Sequence, residues 1–318
     1  MKKSWISIIV LSFVFMTVST SYAVQRISLG AGPQGGSYYA WGAAWSNIMN
    51  NEIVNSSFSV EATGGPSDNI KLIQSGDLDF GWSTTWLAGE GYSGKGWADK
   101  KYDKIRAIFP MYFSVLYVYT LEKNDIHSLS DLEGKRICTG NAGSTSDLGG
   151  NGVLNALNIH PKSISPMSTN IGVNNLKDGL VDAAIGVSGV PAPFLLDLET
   201  THNIKFISLT DEETEKILKK YPFWAIATLK KGTYKDLKRD IKVVQFWNIA
   251  LASKDLPDDY VYNIVKTTFE SRDKMIASDI AAKNLLAENI VNSSVPLHPG
   301  ALKYYREIGI EIPSKLIP

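Results

Sequence analysis

The sequence predicts an α/β protein of two similar lobes that face one another across a ligand cleft. Three observations predict it. After Arg26, short apolar runs alternate with longer stretches of helical period, the pattern of layered α/β structure. A grammar of strand, Gly-rich turn, helix, strand, helix and strand occurs twice. Two further apolar runs, 113–121 and 246–252, are too long and continuous for ordinary edge strands and lie where one lobe should give way to the other.

Ile27-Ser28-Leu29 opens the first lobe as a strand. The turn Gly30 to Gly36 leads into a helix over 37–50, where Tyr38, Trp41, Trp45, Ile48 and Met49 recur at helical spacing and direct the two tryptophans into the core. Ser59-Val60-Glu61 returns as a strand. Pro66 and Ser67 suit the start of a second helix, which closes at Ser75-Gly76 before the strand 78–82. The second lobe repeats this order. A strand over 136–139 is followed by the turn Gly140 to Thr145, a helix through Leu157, a strand near 164–167, a helix through Leu176 and a strand over 182–187. The two helix exits share one spacing, Gly76-x-x-Asp79 and Gly179-x-x-Asp182. The runs 113–121 and 246–252 read as crossover strands, which returns the C-terminal helices, about 257–287 and 300–308, to the first lobe. The expected division is therefore lobe I from 24–117 and 250–318 and lobe II from 118–249, joined by a hinge. Gly-rich turns at strand ends would line the cleft, where α/β sheets bind their ligands.

Residues 1–23 read as a signal peptide: Lys2 and Lys3, an apolar stretch from Trp5 to Val18, then Ser21-Tyr22-Ala23. The apolar part is short for a membrane span of about 20 residues. Cleavage after Ala23 is expected, with an uncleaved N-terminal anchor as the alternative, and either way the globular part is exported. No cysteine stands at the cleavage point to carry a lipid, which favours a protein free in a periplasm. The 32 Lys and Arg balance 32 Asp and Glu, which argues against a nucleic-acid partner. Cys138 is the single cysteine, so neither an intramolecular disulfide nor a thiolate zinc cluster can form.

Gly30-Ala31-Gly32-Pro33-Gln34-Gly35 matches G-x-G-x-x-G between a strand and a helix, with Glu61 ending the next strand. A dinucleotide-dependent enzyme would use such a turn for pyrophosphate and such an acid for a ribose hydroxyl. The export signal and the lack of a proton-transfer partner weigh against it. The histidines at 127, 160, 202 and 298 are scattered without metal-ligand spacing and read as surface or turn residues. Gly186-Val187-Ser188-Gly189 lacks the last glycine of a nucleophile elbow, and Gly140–Thr145 lacks the lysine of a P-loop. No catalytic residue, metal or cofactor is expected. Gly36-Ser37, Gly65-Pro66-Ser67 and Gly143-Ser144-Thr145 each place a glycine turn and small hydroxyl residues at a helix start. Backbone N–H groups there suit a carboxylate, while Ser67 and Ser144 could equally cap their own helices. Trp82-Ser83-Thr84-Thr85-Trp86 follows a strand, and Tyr38 and Tyr39 start a helix, an aromatic lining typical of small-ligand pockets.

The string Gly-Gly-Ser-Tyr-Tyr-Ala-Trp-Gly at 35–42, the run from Ser67-x-Asn69-Ile70 to Gln74-Ser75-Gly76-x-x-Asp79, and Ser188-Gly189-Val190-Pro191-Ala192-Pro193 resemble the TAXI family of TRAP-transporter solute receptors. The resemblance runs from about Arg26 to the C-terminus. It implies a type II periplasmic-binding-protein fold that closes around one solute and delivers it to ion-driven membrane permease subunits. It further implies a ligand face of Gly36, Tyr38, Ser67, Asn69, Ser83 and Thr84 from the first lobe and Gly143, Ser144, Thr145, Ser188, Gly189 and Val190 from the second. Many members carry Gln-Ser-Asp where this chain has Ser83-Thr84-Thr85, which removes a group that could read an amino substituent. Arg26, Arg106 and Arg136 lie in or beside strands, so an anion must be held by helix N-termini, hydroxyls and Lys95. The expected ligand is a small organic anion, most readily a carboxylate, taken up by a monomer. A ligand-sensing partner of a membrane kinase would use the same fold.

Overall fold

The computed structural model describes residues 24–318, and the expected signal peptide lies outside them. Strand β1 (Gln25–Gly30) is followed by α1 (Ser37–Glu52), β2 (Ser56–Glu61), α2 (Pro66–Ser75), β3 (Phe80–Thr84) and α3 (Thr85–Ser93). The long strand β4 (Ile105–Leu121) carries the chain into a second unit of β5 (Arg136–Thr139), α4 (Thr145–Leu157), β6 (Ser163–Pro166), α5 (Thr169–Lys177) and β7 (Ala183–Ser188). After α6 (Pro193–Thr201), β8 (Ile204–Phe206), α7 (Asp211–Lys220) and β9 (Ala225–Leu229), the strand β10 (Ile241–Ser253) returns to the first unit. There α8 (Asp258–Glu270), α9 (Arg272–Ser278) and α10 (Pro299–Glu307) complete it.

The fold is α/β around one mixed sheet in the order β2-β1-β3-β10-β4-β7-β5-β6, with β8 on β4 and β9 on β10. The triplet β2-β1-β3 is the counterpart of β6-β5-β7, and the antiparallel pair β10 and β4 lies between them. The repeated Gly-to-Asp spacing has a physical reason. Gly76 and Gly179 both adopt positive φ to end their helices. The Asp three residues on then accepts from the backbone of the first strand of its own unit. Asp79 takes the N–H of Ser28 at 2.9 Å, and Asp182 takes the N–H of Arg136 at 2.8 Å.

One core gathers residues from Ile27 through Tyr112 with residues from Ile249 to Leu316 and holds Trp41, Trp45 and Trp82. The rest of the sheet has a core on each face. Leu116 and Val118 of β4 and Val244 and Phe246 of β10 face one, and Val115, Tyr117 and Tyr119 with Ile241 and Val243 face the other. Alternate residues of a strand point to opposite faces, so burial of both faces explains the unbroken apolar runs. Cys138 is buried here and its thiol is pushed up to about 11 by loss of solvation, a packing residue rather than a reactive one.

Three expectations change. Ser83 and Thr84 are strand rather than turn, because β10 pairs with β3 as far as Asn248 opposite Thr84. The run at 113–121 belongs to a strand that begins at Ile105. The helix expected over about 257–287 breaks at Ser271 and again at Asp279, whose carboxylate accepts the N–H of Ala281 and starts a 3-10 turn.

Candidate solute-binding site

A cavity of about 160 Å³ lies between the two halves of the sheet, room for on the order of ten waters or a solute of similar size. Its walls are the turn from Pro33 to Tyr38, then Gly65 and Pro66, and from the second unit Gly140, Asn141, Ser144–Ser146, Ser168–Asn170, Val187 and Ser188. Tyr112, Ser114 and Asn248 of the crossover strands complete it. Among the described residues no Asp, Glu, Lys, Arg or His lines it.

Four helices bring their N-termini to this cavity, and they differ. Asp68 in the first turn of α2 accepts from the Gly64 N–H at 3.1 Å. In α4, Asp147 accepts from the Gly143 N–H at 3.0 Å, from Thr139 Oγ1 at 2.7 Å and from Asn151 Nδ2 at 3.0 Å. These carboxylates already offset the positive helix ends. Helices α1 and α5 have no acid in the first turn. The N-cap of α1 is Gly36, with no side chain to cap it, and among the described residues nothing accepts the N–H of Ser37 or Tyr38. These two donors form a ready seat for one carboxylate.

The Tyr38 hydroxyl donates to Asn248 Oδ1 at 2.5 Å, and Asn248 Nδ2 donates to Ser114 Oγ at 2.8 Å. Tyr112 is only 1% exposed and stacks obliquely on Trp41, with ring centroids 4.9 Å apart. Burial holds the phenols of Tyr38 and Tyr112 well above their ordinary range, so both remain protonated.

Two direct contacts close the cleft: Ser37 Oγ lies 3.1 Å from Ser188 Oγ, and Ser67 Oγ donates to the Gly143 carbonyl at 2.9 Å. Gly143 has φ +76, and a Cβ there would stand 3.1 Å from Ser67 Oγ, so glycine serves both the turn and the approach. An outer cavity of about 670 Å³ lies beyond Ser37 and Ser188, walled also by Ala40, Val173, Phe194 and the Lys177–Asp197 pair.

Of the residues expected from the sequence, Gly36, Tyr38, Ser144, Thr145 and Ser188 line the inner cavity. Ser67 and Gly143 stand beside it and bridge the halves. Asn69 is wholly buried, donating to the carbonyls of Ala31 and Trp82 and accepting from Thr63 Oγ1, which makes it a brace for three segments. Ser83 donates to the Thr84 carbonyl, and Thr84 caps α3 through the Leu87 N–H; neither lines the cavity. The Gly189 carbonyl accepts from the Tyr117 hydroxyl at 3.0 Å, and Val190 packs against a core. Trp82 and Trp86 belong to separate cores, and Lys95 is exposed away from the lining. His298 is buried as the N-cap of α10 rather than on the surface.

Sequence reasoning missed Tyr112, Ser114, Ser146, Asn170 and Asn248. For Ser114 and Asn248 the available signal was polarity inside the apolar crossover runs, since a polar residue in a strand buried on both faces needs a partner. The dinucleotide reading loses its geometry: a Cβ on Gly30 would lie 2.3 Å from Leu78 and 2.5 Å from Asn69, so that glycine serves packing. Glu61 is exposed and outside the lining. Among the described residues no cluster of three or more His, Cys, Asp and Glu could hold a metal, and no helix is long and apolar enough to cross a membrane.

A family model described as the NMT1-like family matches residues 29–309. The chain belongs to the NMT1-like family. Its architecture is shared with solved structures at low identity. MatC (Rpa3494) from Rhodopseudomonas palustris with bound malate is 11% identical over 90% of this chain and 97% of that one, with a TM-score of 0.59. XAC2383 from Xanthomonas citri bound to ATP is 10% identical over 89% and 95%, with a TM-score of 0.53. Tv2483 bound to L-arginine is 12% identical over 82% and 90%, with a TM-score of 0.50. At these identities the likeness is one of fold, and this NMT1-like chain has its own cavity chemistry.

Proposed function

We propose that the protein is an extracytoplasmic solute receptor, not an enzyme, that closes around a small organic anion and hands it to the permease subunits of a TRAP transporter. The observation that carries this reading is the uncharged cavity between the sheet halves, walled by both and bridged by Ser37–Ser188 and Ser67–Gly143. The free N–H groups at the start of α1 supply the carboxylate seat. Malate in the related fold of MatC is in keeping with such a ligand. Absence of an acid from the lining disfavours an amino acid, whose ammonium would have no counter-charge.

Lobe I (24–117 and 250–318) and lobe II (118–249) act as the moving bodies, and β4 and β10 are the hinge. Contacts made only when the lobes meet give the solute its differential affinity for the closed form. Delivery to a TRAP permease rests on the TAXI-like motifs at 35–42, 67–79 and 188–193. The signal-peptide pattern expected at 1–23 supports an extracytoplasmic place of action. Thermal melting of residues 24–318 against organic acids, amino acids and nicotinamide dinucleotides tests the reading. A ligand at 100 times its Kd adds about 2.7 kcal/mol of stability. That shift is expected from an organic acid, and a shift from dinucleotides alone would contradict it.

A further inference from the structure

Ser188, which meets Ser37 across the cleft, is the last residue of β7 and pairs with Val115 of β4. Both serines line the inner and the outer cavity, so their contact forms part of the wall between the two. Beyond Ser188 the turn 189–192 leaves the sheet before α6 begins. Two buried tyrosines hold that turn. The Ala192 N–H donates to the Tyr234 hydroxyl at 2.6 Å, Tyr234 donates to the Tyr117 hydroxyl at 3.0 Å, and Tyr117 donates to the Gly189 carbonyl at 3.0 Å. The chain of bonds therefore starts and ends on the same turn. An amide N–H can only donate and a carbonyl can only accept, so both hydroxyl protons have one direction to point, and each hydroxyl gives one bond and takes one. A buried network satisfied in this way specifies one backbone arrangement. Loss of solvation holds both phenols above their ordinary range, which keeps their protons in place. Gly189 also stands against the first unit: a Cβ added there would lie 3.5 Å from the Tyr112 ring and 4.0 Å from Ala281 Cβ.

We infer that Tyr117 and Tyr234 are positioning residues for closure: by pinning the turn 189–192 at both ends they set Ser188 to meet Ser37. Tyr117 stands on the crossover strand β4, and Tyr234 on the segment that leads into β10, so the hydroxyl chain ties the edge of the cleft to the strands proposed as the hinge. Neither tyrosine belongs to either cavity wall, and their effect on closure runs through Ser188. The inference rests on the proposed opening and closing of the lobes.

The rate of disulfide formation in a Ser37→Cys, Ser188→Cys double variant under oxidised glutathione tests it, since the two hydroxyls stand 3.1 Å apart and thiols placed there can pair only when the lobes meet. Cys138 is buried with its thiol pushed up to about 11 and does not compete. With both tyrosines present the pair should cross-link. Tyr117→Phe and Tyr234→Phe keep the rings and remove the hydroxyl links, and each should slow cross-linking about three- to tenfold. Because the links form one chain, the double phenylalanine variant should match the slower single one. Ile217→Ala, a cavity in the core on the other face of the sheet, should lower the melting temperature and leave the cross-linking rate unchanged. An unchanged rate in either phenylalanine variant, multiplied losses in the double one, or equal slowing by Ile217→Ala overturns the positioning role alone. Failure of the cysteine pair to cross-link with both tyrosines in place overturns the closure reading and the positioning role with it.

Discussion

Ser67 and Asn69 lie on one helix, two residues apart, yet do different work. Ser67 reaches the Gly143 carbonyl across the cleft, so Ser67→Ala removes a contact that, on the proposed reading, favours closure. Solute affinity should fall by about 0.5–1.5 kcal/mol, or roughly two- to twelvefold, with little change in melting temperature. Titration calorimetry with the bound solute checks this, and unchanged affinity would remove Ser67 from closure. Asn69→Ala would strip the Ala31 and Trp82 carbonyls of their donor inside the core and should destabilise by about 2–4 kcal/mol in urea unfolding. A loss under 0.5 kcal/mol would contradict the bracing role. Ser144 combines both kinds of duty, since it caps α4 through the Asp147 N–H at 3.2 Å and also lines the cavity. Ser144→Ala should lower stability by about 1 kcal/mol and weaken solute binding as well, whereas Ser144→Asn should restore the cap without restoring affinity. At this scale the sequence could mark hydroxyl and amide residues near strand ends. It could not tell which way each faced, because orientation is fixed by partners far along the chain, such as Gly143 for Ser67.

Helices and strands show the same limit in another form. The apolar period revealed α1, α2, α4 and α5; α2 and α5 stop at the positive-φ glycines Gly76 and Gly179, and α4 at Asn158 with φ +56. Helix α3 stayed hidden because Trp86 and Leu87 leave the first core and pack into the second, so no one-sided stripe marks it. The short strands β8 and β9 attach to the ends of β4 and β10, positions that only the long-range register defines. His298 illustrates an element end with a pH consequence. It accepts the Gly300 N–H as the cap of α10, and burial holds its imidazole below the ordinary range, favouring the neutral form. As pH falls through about 6.5 the unfolded chain takes up the proton first. Stability should therefore be full above that pH and decline below it. Urea midpoints at pH 7.5 and 5.5 should drop further for wild type than for His298→Asn, which keeps a capping oxygen. Equal drops would show that His298 titrates alike in both states.

For the whole molecule, the two similar α/β units were legible because both repeat one grammar with one Gly-to-Asp spacing, whereas their strand order came only from the structure. The long crossover strands were legible because two buried faces leave no polar alternation. What the sequence hid was the floor of the site: Tyr112, Ser114 and Asn248 meet only after β4 and β10 pair around a bulge. The resulting architecture lines one cavity with residues of both units and of the strands that join them, so on the proposed reading binding would be coupled to closure. The central claim is that this cavity holds a small organic acid, and native mass spectrometry of residues 24–318 as purified tests it most directly. The account predicts a retained species of small-acid mass, released on unfolding and displaced by excess of the same acid. A retained dinucleotide or amino acid in its place would contradict it.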